Sequence, residues 1–316
     1  MNWLRQTYMQ RQVNGAGQQM KDGVGLLPKK GWRKRNIEFF QRVLIPSLLH
    51  SRSQQYHDNQ KIHQWPEYHT TFLGHASFWI GIEGMQLMID PNWALWHGPC
   101  KRLQLPILYP EQLPRMDVVL ITHVHFDHLN LGSLRRLAAK QPIIVPKGVG
   151  SLVKGIGFSE VIELKWWQTC QLGHLKITLT PAKHWGARMI HDHYRGYGGY
   201  YIEGEKNNMY HAGDTAWFDG FKEIHQRCGS PQISLLPIGA YQAPSGRSVH
   251  MNPAEAVEAC FELGSQVMIP MHYGTFPLGG EPWDQPLKWL NELTIKNQLQ
   301  NRIKPQNQGV PFSINQ

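Results

Sequence analysis

The stretch "THVHFDHL" (122–129) places His123, His125, Asp127 and His128 within six residues. Imidazole nitrogens and carboxylate oxygens are the donors that zinc and similar divalent cations take. His123 and His125 are one residue apart and point to one side of an extended segment. Asp127 and His128 are adjacent and diverge once the chain turns, so one short loop offers two donor sets. That arrangement suits two metals better than one. Further donors follow apolar runs elsewhere: His184 in "LTPAKHWG", Asp214 in "MYHAGDT" and His272 in "VMIPMHYGT". The chain carries 17 histidines, so some crowding arises by chance. Chance does not explain why each donor closes an apolar run.

Those apolar runs predict the elements that hold the donors. "DVVLI" (117–121) reads as a buried strand, and "NLGSLRRLAAK" (130–140) as a helix capped by Asn130 with Leu131, Leu134, Leu137 and Ala138 at helical spacing. The cluster therefore sits in a strand-to-helix loop at a carboxyl end, where open α/β sheets place their sites. Strands are expected at "YHTTFL", "SFWIGI", "MQLMID", "PIIVP", "VIEL", "LKITLTP", "ISLLPIG" and "QVMIPMH", with "GGYYIEG" and "NNMYHAGD" forming a hairpin. "NPAEAVEACFELG" reads as a helix with an Asn cap, Pro in the first turn and a terminal Gly. Meandering strands with interspersed helices occur twice, which predicts an α/β sandwich of two sheets covered by helices. The Pro-rich, aromatic segment 91–114 reads as a long functional loop. Residues 1–66 are polar and poorly patterned, an N-terminal extension expected to be partly mobile, with one basic amphipathic helix candidate in "PKKGWRKRNIEFFQRVLIPSLL" (28–49). Pro46 argues against a long uninterrupted helix there.

The pattern His-x-His-x-Asp-His, then an isolated His, a Gly-Asp-Thr and a late His, resembles the metallo-β-lactamase-fold hydrolases. The resemblance implies an αββα sandwich, with residues 67–316 as the catalytic domain. It also implies two zinc ions, one on His123, His125 and His184 and one on Asp127, His128 and His272, bridged by Asp214. Manganese or iron suits the same donors. The segments "TFLGHASFWI", "MIDPNW", "GPCKR", "IELKWWQ", "TPAKHWGAR", "LLPIGAY", "HMNPAEAVEA" and "MHYGTFPL" resemble the N-acylphosphatidylethanolamine-hydrolysing phospholipase D branch. That branch implies cleavage of a membrane phosphodiester to an N-acylethanolamine and phosphatidic acid. Asp127 would also orient the attacking water. His250 would protonate the leaving group or hydrogen-bond a phosphate oxygen. His75 would support a ligand from outside, and Tyr241 and Arg188 would contact an anionic head group. Trp166, Trp167 and Trp185 are read as core, with the lining of an acyl groove or a membrane-facing surface as the alternative, and Gly213 and Gly274 as tight-turn residues. His191 and His193 repeat the His-x-His spacing without an acidic partner.

Composition bounds the alternatives. Hydrophobic residues make up 41% and charged residues 17% of 316 positions, the profile of a globular protein. Cys100, Cys170, Cys228 and Cys260 are widely spaced, which excludes a disulfide framework or zinc ribbon and fits a reducing compartment. No run approaches the ~18 apolar residues of a membrane span, and no signal-peptide core is present, so a cytoplasmic protein is expected. The net charge of +9 attracts anions, and the basic, aromatic stretch 28–49 reads either as a surface helix that packs its apolar face on the body or as a segment in peripheral contact with an anionic membrane. Expected partners are a phospholipid or other phosphodiester substrate and, in addition, a second copy of the chain; no nucleic-acid-binding module is recognised. The competing enzyme readings keep the metals but act on a phosphorylated lactone or as a nuclease. A non-catalytic metal-binding protein is the remaining class.

Overall fold

The computed structural model describes residues 28–53, 65–188 and 194–314. His191 and His193 lie outside the described residues, as do 1–27 and 54–64 of the N-terminal extension.

Two sheets face each other. The first runs β15-β1-β2-β3-β6-β7-β8, built from β1 (His69–Gly74), β2 (Ser77–Ile82), β3 (Met85–Ile89), β6 (Val118–Leu120), β7 (Ile143–Pro146), β8 (Val161–Leu164) and β15 (Pro311–Phe312). The second runs β14-β13-β12-β11-β10-β9, from β9 (Thr169–Leu172), β10 (Leu175–Thr180), β11 (Gly199–Glu203), β12 (Asn208–His211), β13 (Ile233–Pro237) and β14 (Val267–Met271). Strand alternation sorts the side chains. Ile80, Ile82, Leu87, Ile89, Val118 and Leu120 point inward to meet Ile177, Leu179, Tyr200 and Leu235 of the second sheet. Trp79, Met88, Val119 and Ile121 point outward, under Leu134 and Leu137 of helix Leu131–Leu137. The second sheet is covered in turn by helices Pro253–Glu262 and Gln285–Lys296, which bury Ala256, Val257 and Leu290. The architecture is the expected αββα sandwich, and the hairpin pairs Tyr200 with His211 in antiparallel register as read.

Both predicted caps form: Asn130 Oδ1 accepts from Ser133 N, and Asn252 and Glu255 close a capping box. Pro46 does not break its helix. The chain is α-helical over Trp32–Phe39, widens to a π turn over Phe40–Leu44, and resumes as α over Ile45–Leu49. A π turn just ahead of proline shifts the carbonyls its ring would strike, so the helix passes through. This helix lies on the body, with Val43, Leu44 and Ser47 buried. Arg35 donates to the carbonyls of Pro244 and Ser245 (3.1 and 3.0 Å), and a Cβ on Gly246 would stand 2.4 Å from its guanidinium.

The long loop after β3 is ordered by one buried cation. Arg102 is fully buried and donates to the carbonyls of Gln104 (2.8 Å), Asn92 (2.9 Å) and Leu73 (3.2 Å), fastening the loop to the β1–β2 turn. Lysine has no planar fork and cannot reach three diverging carbonyls. Arg102→Lys is therefore expected to destabilise the fold by about 2–4 kcal/mol, through buried acceptors left unmatched. The urea midpoint would fall at constant slope; an unchanged midpoint would contradict this account.

Candidate metal centre

After β6 the chain stays extended through His123 and then tightens. His128 N and Leu129 N both donate to His125 O (3.1 and 2.8 Å), and Asn130 opens the following helix. This turn separates the first two histidines from Asp127 and His128. His184 follows β10, Asp214 follows β12 and His272 follows β14, so all reach the same edge of the sandwich.

The donors meet in two main groups whose ligand atoms lie within 4.8 Å of one another, His123, His125, His184 and Asp214, and His75, Asp127, His128 and His272, with a third set, Asp214, His250 and His272, overlapping the two. In the first, His125 Nδ1 is 2.9 Å from His123 Nε2 and 3.1 Å from His184 Nε2. Asp214 Oδ2 is 3.7 and 3.9 Å from His123 and His184. In the second, Asp127 Oδ2 is 3.3 Å from His272 Nε2 and 3.6 Å from His128 Nε2. Asp214 Oδ2 reaches this group too, at 3.1 Å from His272 and 3.2 Å from His128. Donors bound tetrahedrally at 2.0–2.1 Å sit about 3.3 Å apart, so both groups have the spacing of a shared cation. His125 Nε2 and Asp214 Oδ1 are buried without a hydrogen-bond partner. Such atoms are costly unless something satisfies them, and the donor set fits two divalent cations.

The opposite ring nitrogens are held from behind. Asp90, fully buried, accepts from His128 Nδ1 (2.7 Å), Thr122 N (2.8 Å) and Thr122 Oγ1 (2.5 Å). His184 Nδ1 donates to Val249 O (3.0 Å). These bonds fix which nitrogen faces the centre. Asp90 was not singled out from sequence, although it closes the apolar run of β3 just as Asp214 closes that of β12. His75 lies beside the second group, with Nε2 2.8 Å from Asp127 Oδ2 and its ring 4.1 Å from that of His272.

Electrostatics agree with a site made for cations. Burial alone would push the carboxyl groups of Asp127 and Asp214 up, yet the imidazoles around them, His128 foremost, hold both well below the usual range. Burial holds His123 and His184 well below their ordinary value and brings His125 and His250 down to about 4. His128 and His272 resist burial because Asp214 and Asp127 favour their charged forms, raising His128 well up and His272 to about 9.

Residues 86–273, which include every donor of both groups except His75, match the Beta-lactamase superfamily domain. The chain belongs to the β-lactamase superfamily. It is 32% identical over 232 residues to an uncharacterized protein of Mycobacterium tuberculosis, covering 70% of this chain but only 62% of that relative's length. It is 35% identical over 245 residues to N-acyl-phosphatidylethanolamine-hydrolyzing phospholipase D 1 of Caenorhabditis elegans, covering 71% of this chain and 68% of that one. Among solved structures, Igni18, a metallo hydrolase from Ignicoccus hospitalis, aligns with a TM-score of 0.58 at 26% identity, over 78% of this chain and 99% of that one.

In this member of the superfamily the donors open onto a cavity of about 580 Å³. Its walls include Trp185, Val249, Leu278, Arg188 and Arg247, with His250 beside the donors. Three expectations are corrected here, those for Trp185, Tyr241 and Trp166. Trp185 is not core: it lines the cavity, 4.4 Å from the ring of His125, because the chain leaving β10 turns across the site. Tyr241 is not among the lining residues; its hydroxyl donates to Gln285 Oε1 (3.0 Å), its ring packs on Trp289, and it borders a neighbouring cavity. Trp167 packs on the core, and Trp166 is at the surface, 38% exposed, donating to Tyr197 O. Arg188 reaches the cavity, where it stacks on Phe126 at 4.1 Å and donates to Leu129 O (2.9 Å). Gly213 and Gly274 take left-handed φ of 60° and 66°, as tight turns require.

The shifts give the metal-free protein a defined pH profile. His75, at about 3, and His125 and His250, at about 4, are neutral when folded and take up protons on unfolding below about pH 6.5, so stability falls toward acid. The contribution of His272 is complete below about pH 6.5 and lost as pH rises through about 9. After chelation, the thermal midpoint is expected to peak near pH 6.5 and decline toward both pH 5 and pH 9. A midpoint rising steadily across that range would refute the assignment.

Proposed function

We propose that this chain is a metal-dependent hydrolase that cleaves phosphodiesters of the N-acylphosphatidylethanolamine type, releasing an N-acylethanolamine and phosphatidic acid. The observation that carries the reading is the pair of buried His/Asp groups sharing Asp214 Oδ2 at the base of a cavity with apolar walls. The likeness to the nematode N-acyl-phosphatidylethanolamine-hydrolyzing phospholipase D 1 supports this reading.

His123, His125, His184 and Asp214 would hold one cation, and Asp127, His128, His272 and Asp214 the other. Two bound divalent cations, zinc by donor type, lower the pKa of water and neutralise charge growing on phosphoryl oxygens. Asp127, steadied by His75, would orient the attacking water with the oxygen lone pairs left to it. His250 is held neutral by burial, Nδ1 3.7 Å from Asp214 Oδ2. It would therefore donate a hydrogen bond to a phosphoryl or leaving oxygen rather than act as a resident imidazolium. Arg188 and Arg247, each flat on an aromatic ring (Phe126 at 4.1 Å, Trp185 at 4.2 Å), would add positive charge on the cavity walls.

The same reading extends to a peripheral membrane protein of the cytoplasm. The helix through Pro46 leaves Trp32, Ile37, Phe40 and Leu49 exposed at 44%, 57%, 52% and 82%, beside Lys34 and Arg42. An apolar face flanked by cations is the composition that binds anionic lipid interfaces. Among the described residues, no helix is long and apolar enough to cross a membrane.

The test is phosphatidic acid release from N-acylphosphatidylethanolamine in mixed micelles by protein of measured metal content. Wild type is expected to release it. Asp127→Asn, which removes charge at the second group, should lower kcat by about a hundredfold or more. No release from a protein carrying two metals would remove the lipid assignment and leave a phosphorylated lactone or RNA as the substrate to assay.

A further inference from the structure

His97 lines the cavity wall, and the surrounding hydrogen bonds determine its proton position. It stands on a small hairpin, Trp96–His97 (β4) and Cys100–Lys101 (β5), in which His97 pairs with Cys100. The two-residue turn is Gly98-Pro99. Gly98 has φ 55° and proline is locked at negative φ, the combination of a type II′ turn. The hairpin sets the His97 ring 4.5 Å from that of Phe276, on the wall shared with Phe126 and Asp127.

Behind it lies Asn92, 1% exposed. Its Nδ2 donates to Asp127 O at 2.6 Å and lies 2.8 Å from His97 Nε2, and its Oδ1 accepts from Ala94 N at 3.0 Å. The amide is thus oriented twice over, by a carbonyl that needs a donor and an N–H that needs an acceptor. Both amide hydrogens are committed, so His97 Nε2 is the acceptor and the ring proton sits on Nδ1. Burial also lowers the pKa of His97. Among the described residues no protein acceptor is bonded to Nδ1.

Resting on the phosphodiesterase reading above, we infer that His97 is a substrate-contacting residue whose Nδ1–H donates to the carbonyl oxygen of an acyl group. A neutral donor matches a neutral acceptor; the anionic part of a ligand finds Arg188, Arg247 and the cation-binding groups in the same cavity. Trp185, Val249 and Leu278 offer hydrocarbon contact but no acceptor, so a bound acyl chain must bring the oxygen itself. Asn92 acts through His97 and Asp127 and is a positioning residue for both.

The experiment uses the full zinc-loaded chain. A long-range proton–nitrogen spectrum compared with that of His97→Phe identifies the His97 ring. Protonation at Nδ1 is expected; protonation at Nε2 overturns the inference. Titration then uses the two carbonyl-bearing products in short-chain form, N-hexanoylethanolamine and dihexanoyl phosphatidic acid. A shift of the His97 signal with the first assigns the amide carbonyl, and with the second the glycerol esters. No shift with either overturns the proposal. In turnover, His97→Phe should lower the preference for N-acylphosphatidylethanolamine over bis(4-nitrophenyl) phosphate, a phosphodiester without acyl carbonyls, by about tenfold, mainly through KM. An unchanged preference counts against it. If wild type releases no phosphatidic acid, the proposed function falls, while the spectrum and the titration still decide the role of His97.

Discussion

Asp214 Oδ2 lies 3.1 Å from His272 Nε2, 3.2 Å from His128 Nε2, 3.7 Å from His123 Nε2 and His250 Nδ1, and 3.9 Å from His184 Nε2. One oxygen therefore borders both donor groups and the histidine beside them. A buried carboxylate is tolerable only when opposite charge surrounds it. Here His128 and His272 approach it most closely, Asp214 raises the pKa of both, and the same geometry suits two cations. The rest of the fold brings imidazoles from separate strand ends to within reach of this single atom.

The backbone at those strand ends is unusual. His75, Asp90, Ala240 and His272 all have positive φ, at 60°, 45°, 58° and 59°, a region that non-glycine residues seldom enter. His75 and His272 are tied to each other, since His272 N donates to His75 O at 2.7 Å. Each turn departs sharply from its strand, which lets a side chain at the sandwich edge point back over the site. The cost is met by packing: all four residues are buried, and Arg102 and Glu281 bond the neighbouring loops.

Much of this was legible in the sequence because strand periodicity and donor position reinforce each other. Each of the donors His123, His184, Asp214 and His272 follows an apolar run whose alternation identifies a strand, and the sandwich places those ends together. Asp90 obeyed the same rule and was passed over, having no histidine beside it. Asn92, His97 and Arg102 fall in the Pro-rich loop, which has no period; what orders that loop is a buried guanidinium bonded to carbonyls, and carbonyls leave no trace in a sequence. Tyr241 and Trp185 exchanged expected surroundings for a similar reason: loop direction, not residue type, decided which of them faced the cavity. Pro46 was read by its usual effect in an α-helix, and the π turn that accommodates it has no composition of its own.

Arg35 bonds carbonyls 209 and 210 residues further along the chain, in the loop that leads to Arg247, Val249 and His250. During synthesis the helix bearing Arg35 emerges early; its carboxyl end meets residues 101–103 first, and Arg35 finds its carbonyls only when the later loop has been made. Closing so long a loop is slow on topological grounds. The wall of the site beside His250 is therefore among the last parts of the molecule to assemble, and an early helix with an exposed apolar face waits for it. The interval before docking is when that face is most open to capture by a chaperone or by another nascent chain.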